Sequence, residues 1–254
     1  MKIRNYRWAL LAGLLVSSLL YAAEWSYTGA TGPMHWAQLE PSFKHCAAGA
    51  EQSPIDIPAL IATKNVPPLK LRYNFTHQVL YERYVHGAIE ILLAKPREQN
   101  TLTWQRKTYQ LVQFHFHSPS ENHLAGKVFP MEGHFVHQAA DGSLAVVGVF
   151  FNIGRANPSI AQILAARPLT SKNVNILAEQ NFMVQALLPA ERVFYAFKGS
   201  LTTPPCSEGV QWFLMQHPVE LSAQQWAQLK QALPISNARP IQNRHGRAIL
   251  LNTL

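Results

Sequence analysis

Cysteine is scarce in this chain: Cys46 and Cys206 are the only two in 254 residues. Neither lies near the small residues Ala22 and Ala23, so lipid attachment at a new N-terminal cysteine is not indicated. Long apolar runs are missing too. The leading run, residues 8–20, is nearer to 13 residues than to the roughly 20 that a membrane-spanning helix needs. There is no glycine-rich phosphate loop, no internal repeat and no low-complexity tract, which argues against a P-loop nucleotide enzyme, a solenoid or a disordered linker. An H-E-x-x-H helix of the metallopeptidase kind is absent. Acids are few, with 14 Asp and Glu against 22 Lys and Arg and a net charge of +8. The basic residues are nevertheless scattered, without a long run or an aromatic-and-basic stripe, so nucleic acid is not an expected partner.

What is present begins with a leader. Lys2, Arg4 and Arg7 precede the apolar run, and small residues follow it, so residues 1–23 read as a secretory signal peptide. Export to the periplasm or beyond is expected, with no stable membrane anchor once the leader is cleaved, and the three lost charges leave the mature chain at +5. That compartment permits Cys46 and Cys206 to pair as a single disulfide. Residues 24–254, in a chain that is 48% hydrophobic, suffice for one domain with one core.

Residues 24–58 are rich in Trp, Gly, Pro and Ser with little periodicity and read as an irregular segment draped over the core. Strands are expected within residues 79–94, at 101–104, around 113–117 and 132–137, and at 144–151, where a continuous apolar run marks a buried central strand. Helices are few. Residues 159–165 follow Pro158 and carry Ile160, Ile163 and Leu164 at helical spacing. Ser222-Ala223-Gln224-Gln225 is a capping box ahead of Trp226, Leu229 and Leu233.

The centre of the chain is Gln113-Phe114-His115-Phe116-His117, answered by Glu132-Gly133-His134-Phe135-Val136. Strand residues two apart share a face, so Gln113, His115 and His117 line one side, with Val112, Phe114 and Phe116 on the other. A neighbouring antiparallel strand brings His134 and Glu132 to the same place. Three neutral imidazoles suit Zn²⁺, and three protein ligands leave a fourth position open, which marks a catalytic rather than a structural site. Gln113 and Glu132 are placed to accept the second ring N–H of the ligands and fix their tautomers. His137 falls three residues after His134, on the opposite face, and is excluded as a ligand. His35, His45, His77, His123, His217 and His245 have no spacing that demands a role.

The stretches Q-F-H-F-H-S-P-S-E-N and M-E-G-H-F-V-H closely resemble the core of the α-class carbonic anhydrases, especially secreted bacterial ones. The likeness extends through Trp25-Ser26-Tyr27, Gly32-Pro33-Met34-His35-Trp36, Gln52-Ser53-Pro54-Ile55-Asp56-Ile57, Leu144-Ala145-Val146-Val147-Gly148-Val149-Phe150, Gly199-Ser200-Leu201-Thr202-Thr203-Pro204-Pro205 and Asn237-Ala238-Arg239-Pro240. It implies a mainly β (α+β) single domain, with a large, mostly antiparallel twisted sheet, short surface helices and a cleft leading down to zinc. It also implies reversible hydration of carbon dioxide to bicarbonate and a proton by a zinc-bound hydroxide, with slow ester hydrolysis as a side activity. A Cys46–Cys206 disulfide agrees with it.

By the same resemblance, His115, His117 and His134 match the zinc ligands, and Gln113 and Glu132 match the groups that orient them. Thr202 matches the hydroxyl that accepts a hydrogen bond from the hydroxide and donates to Glu121, and Thr203 matches the contact to bicarbonate. Val136, Val146, Leu201, Val210 and Trp212 match an apolar wall for carbon dioxide, although each alone reads as ordinary core. The chain departs from the family at the proton shuttle. Where fast members place a histidine within N-N-G-H, this sequence has Tyr84-Val85-His86-Gly87, so His86 stands one residue early and is expected to be an inefficient shuttle unless a bulge turns it inward. Inactive relatives that serve as binding modules typically lack a zinc histidine; all three are here, which favours an enzyme. Oligomeric state is left open, a homodimer included.

Overall fold

The computed structural model describes residues 24–61, 66–73, 80–85, 88–93, 100–166, 175–177, 182–232 and 236–253. Strands dominate them: β1 (Asp56–Ile57), β2 (Lys70–Tyr73), β3 (Leu80–Val85), β4 (Ala88–Leu93), β5 (Asn100–Trp104), β6 (Lys107–His117), β7 (His123–Leu124), β8 (Met131–Ala139), β9 (Leu144–Ile153), β10 (Asn175–Leu177), β11 (Phe194–Ser200), β12 (Glu208–Met215), β13 (Val219–Leu221) and β14 (Leu250–Asn252). All but β1 and β7, which pair with each other, join one twelve-stranded sheet whose main path runs β10-β3-β4-β6-β8-β9-β12-β11-β14. Within that sheet pairing is antiparallel except where β12 and β13 meet β9, and β1 and β7 also pair in parallel. Asn252 Nδ2 on β14, one end of that path, donates to Val66 O (3.1 Å), just ahead of β2, which joins the sheet through β5.

Side-chain alternation decides what each face holds. Along β9, Val147, Val149 and Phe151 enter the larger apolar cluster with Phe114, Phe116, Phe135 and Phe213. Val146 and Phe150 point the other way, into a second cluster with Val136, Val210, Trp212 and Leu214. A strand buried on both faces needs the continuous apolar run that 144–151 provides. His115 and His117 of β6 and His134 of β8 stand on the second face, and His137 of β8 on the first.

After the single-turn helices α1 (Trp36–Leu39) and α2 (His45–Ala48), two longer ones cover the larger cluster, α3 (Pro158–Ala166) and α4 (Ala223–Ala232), delivering Ile160, Ile163 and Leu229 to it. The capping box is reciprocal. Gln225 N donates to Ser222 Oγ (3.1 Å) and Ser222 N donates to Gln225 Oε1 (3.0 Å). Gln225 Oε1 also takes Asn157 N (2.8 Å), while Asn157 Oδ1 accepts from Ser159 N and Ile160 N (3.0 and 3.2 Å), so one network satisfies the free N–H groups at both helix starts. Leu233, expected to extend the apolar stripe of α4, lies outside the described residues.

The irregular N-terminal segment holds two single-turn helices, at Trp36–Leu39 and His45–Ala48. Its aromatics pack as the sequence suggests: Trp25, Tyr27 and Trp36 meet edge to face, with centroids 5.3–5.8 Å apart. Cys46 and Cys206 form a disulfide that fastens this segment to the loop after β11.

Candidate metal centre

His115 and His117 lie on β6, and His134 is the direct cross-strand partner of His115 on β8. Their ligand-capable nitrogens all fall within 4.8 Å of one another. His117 and His134 are almost wholly buried and His115 is half-buried. In each ring one nitrogen is already engaged. His115 Nδ1 donates to Gln113 Oε1 (2.8 Å), His117 Nδ1 to the carbonyl of Asn237 (2.7 Å), and His134 Nε2 to Glu132 Oε1 (3.0 Å). That leaves a lone pair on Nε2, Nε2 and Nδ1, respectively, facing a common point. His117 Nε2 is buried with no protein partner at all.

Burial holds the pKa of His115 and His134 well below the ordinary histidine value, and neighbouring imidazoles lower them further. That of His117 is lowered by burial too, against the opposing pull of the Asn237 carbonyl. The rings are therefore neutral at physiological pH, the form that ligates a cation. An orphaned buried nitrogen and three converging lone pairs with anchored remote nitrogens fit a divalent metal of the zinc type.

Two carboxylates support the rings. Glu132 accepts from both the backbone and the side chain of Asn122 (2.7 Å each) as well as from His134. Burial pushes its pKa up to about 7 despite those bonds. Room for it comes from Gly148, where a Cβ would stand 3.1 Å from Glu132 Oε1 and 2.7 Å from Leu214 Cδ1. Glu121 is equally buried, which raises its pKa, opposed by the Arg239 N–H on Oε1 (2.8 Å) and by the Thr202 hydroxyl. Glu121 Oε2 is buried with no hydrogen-bond partner among the described residues.

Position Val112 differs from the expected alternation. Leu111 pairs with His137 and Gln113 with Val136, so two residues of β6 are spent against one step of β8. This bulge rotates Val112 out of the Phe114–Phe116 face and packs it against the cluster of Val136, Val146 and Trp212, on the histidine side. Val210 and the half-buried Leu201 complete that cluster, and the Trp212 ring meets His134 edge-on at 4.9 Å. A groove of about 640 Å³ elsewhere on the molecule shares none of these residues, and its ionisable side chains are already partnered, Arg155 with Glu220 and Glu191 with His217.

Residues 31–253 match the family described as eukaryotic-type carbonic anhydrase. A carbonic anhydrase of Pectobacterium carotovorum is 39% identical over 95% of this chain and 96% of its own length. The chain belongs to the α-type carbonic anhydrase family. The α-carbonic anhydrase of Photobacterium profundum superposes with a TM-score of 0.81 at 43% identity, covering 89% of this chain and 100% of that one. That of Thermovibrio ammonificans, solved with the inhibitor sulfanilamide, gives a TM-score of 0.85 at 35% identity, over 91% and 100%.

The structure brings Gln113, His115, His117, Glu121, Glu132, His134 and Thr202 together around one point, with Val136, Val146, Leu201, Val210 and Trp212 beside it. Thr203 follows in the same turn, where its carbonyl accepts from Cys206 N (2.8 Å). His86 lies outside the described residues. Sequence reasoning assigned no role to Asn237, Arg239, Asn122 or Val112. The first two sit in the resembling Asn237-Ala238-Arg239-Pro240 block and Asn122 closes the Q-F-H-F-H-S-P-S-E-N block, so a signal existed, but Asn237 meets His117 and Arg239 meets Glu121 through main-chain atoms.

Proposed function

We propose that the protein catalyses the reversible hydration of carbon dioxide to bicarbonate and a proton, with Zn²⁺ held by His115, His117 and His134. The observation that carries this reading is the convergence of three neutral imidazoles, each anchored at its remote nitrogen, beside a buried hydroxyl–carboxylate couple. Zinc would supply a Lewis acid that lets water lose a proton far more readily than in bulk.

The remaining steps belong to the chain itself. Thr202 accepts a hydrogen bond from the attacking hydroxide and gives its own proton to Glu121, which as a carboxylate can only accept, so the hydroxyl is forced into the acceptor role that aims the nucleophile's lone pair. Carbon dioxide has no net dipole and is held by shape against Val136, Val146, Leu201, Val210 and Trp212, with Val112 closing the same wall. Addition of hydroxide to its carbon gives bicarbonate, which Thr203 contacts on its way out. The next water must release a proton to restore the nucleophile. His86 is an inefficient route for it, so turnover rises markedly with imidazole buffer and His86→Ala changes little. Slow ester hydrolysis by the same hydroxide accompanies the main reaction.

Export fits the same picture. Residues 1–23 act as a signal peptide and residues 24–254 form the mature domain in the periplasm or outside the cell, where the Cys46–Cys206 disulfide persists. No helix among the described residues is long and apolar enough to cross a membrane. The deciding experiment is stopped-flow carbon dioxide hydration with zinc measured on the same sample. A zinc-loaded protein with no rate above buffer would end this reading.

A further inference from the structure

Thr202 sits in a turn that is tied on both sides. On its N-terminal side Ser200 and Ser53 form a reciprocal clasp: Ser53 N donates to Ser200 Oγ (2.9 Å) and Ser200 N donates to Ser53 Oγ (3.2 Å). Ser200 Oγ in turn donates to Leu201 O (2.7 Å), and Trp212 Nε1 donates to Ser200 O (3.0 Å). The clasp depends on Gly199, where any Cβ would collide with Ser53 Oγ. On the C-terminal side, Leu201 N donates to Ser207 O (3.0 Å), Cys206 N donates to Thr203 O (2.8 Å), and the disulfide anchors Cys206 to Cys46.

Both ties lead to one side chain. Arg239 is 3% exposed; its Nη1 donates to Ser53 O (2.6 Å) and its Nη2 to Cys46 O (2.8 Å), with the guanidinium over the face of Trp36. Its backbone N–H meanwhile donates to Glu121 Oε1 (2.8 Å). One residue thus touches Glu121 through its main chain and, through its fork, Ser53 and Cys46, which are tied to Ser200 and Cys206 on either side of Thr202. The guanidinium donates to two carbonyls, while the backbone amide serves the carboxylate, so the carboxyl keeps an oxygen for the threonine hydroxyl.

We infer that Arg239 is a positioning residue that sets Thr202 against Glu121 by clamping the Ser53 and Cys46 carbonyls with a single guanidinium fork. This rests on the hydration reading above. The geometry requires a planar fork with two donors in fixed directions; a lysine keeps the charge but cannot span both carbonyls in that way. Charge alone is therefore not what Arg239 contributes.

The test uses the full chain with Arg239→Lys and Ser53→Ala, each alone and combined with Thr202→Ala. It reads kcat/KM for carbon dioxide at measured zinc occupancy, and amide hydrogen exchange of residues 200–207 in zinc-free protein. Arg239→Lys should lower kcat/KM about tenfold or more, since small misplacements of a reacting group are costly. In the Thr202→Ala background the further loss should be under about twofold, because the clamp acts through that hydroxyl. Exchange should quicken at Leu201 and Cys206 but not along β6 and β8. Losses that multiply in the double variant, unchanged exchange, or a lysine variant within about twofold of the parent would overturn the inference. If Arg239→Lys fails to fold, Ser53→Ala, which leaves the fork in place but removes the Ser200 N–Ser53 Oγ bond through which it reaches the turn, is read in the same cycle. A parent protein without hydration activity would remove the proposed function, while the exchange data would still decide whether Arg239 holds the turn.

Discussion

Strands β6 and β8 carry buried histidines on both faces of one sheet, and the two faces have different chemistry. On one side His115, His117 and His134 converge with their remote nitrogens held by Gln113, Asn237 and Glu132. On the other, His137 is just as buried, with its Nε2 2.8 Å from the Tyr73 hydroxyl, the two rings stacked and its Nδ1 without a hydrogen-bond partner among the described residues. Burial lowers the pKa on both sides. A depressed histidine pKa therefore does not mark a metal site. What separates the faces is convergence of lone pairs and an acceptor behind each ring, both fixed by the two-residue period and the cross-strand register.

Breaking the ligand face should have the largest effect. His134→Ala should abolish activity and cut zinc affinity by more than the 10- to 100-fold typical of losing a supporting group, whereas His137→Gln should keep full zinc stoichiometry; atomic-emission zinc analysis with stopped-flow assays separates the two. A zinc-replete, active His134→Ala protein would erase the distinction between the faces. Thr202→Ala should fold and retain zinc but lose roughly 10²-fold in kcat/KM, as expected for one preorganised hydrogen-bonding group. Glu132→Gln sharpens the comparison further, since the amide still occupies the space beside His134 but accepts less strongly. A drop of about 10-fold in zinc affinity is expected from competition with a chelator, with kcat of the loaded enzyme little changed.

The ligand set, Gln113 and Glu132 were legible because their signal is local: alternation in a strand needs only a handful of residues to show itself. Asn237 was not. It reaches His117 from 120 positions away and does so with a main-chain carbonyl, which any residue carries. Arg239 likewise meets Glu121 through its backbone. Val112 was misplaced because a bulge is a property of two strands in register, and the sequence of one strand does not state it. The buried run at 144–151 gave a central strand correctly, whereas its parallel partners β12 and β13 follow from the curl of the whole sheet and have no local signature. Thr202 and Glu121 were readable only through the family resemblance, since a threonine in a proline-rich turn carries no chemistry by spacing alone.

The smallest predicted effect concerns the face without metal. Burial brings His137 from its ordinary 6.5 down to about 4, and the carbonyls of Phe135 and Ala145 oppose this only in part. Between those values the unfolded chain takes up a proton that the folded protein refuses, so stability falls as pH falls through that window. For one such group the loss between pH 7 and pH 5 is about 2 kcal/mol. The other three histidines and the two buried carboxyls also titrate with folding, and zinc release adds its own proton dependence. The contribution of His137 is therefore read as a difference, by denaturant unfolding of zinc-free parent and zinc-free His137→Gln at both pH values. The parent should lose about 2 kcal/mol more than the variant on acidification, because glutamine has no proton to gain. Equal losses would mean that folded His137 takes up its proton as readily as the unfolded chain does, and the apolar face would then hold a buried cation at pH 5 rather than a neutral ring beside Tyr73.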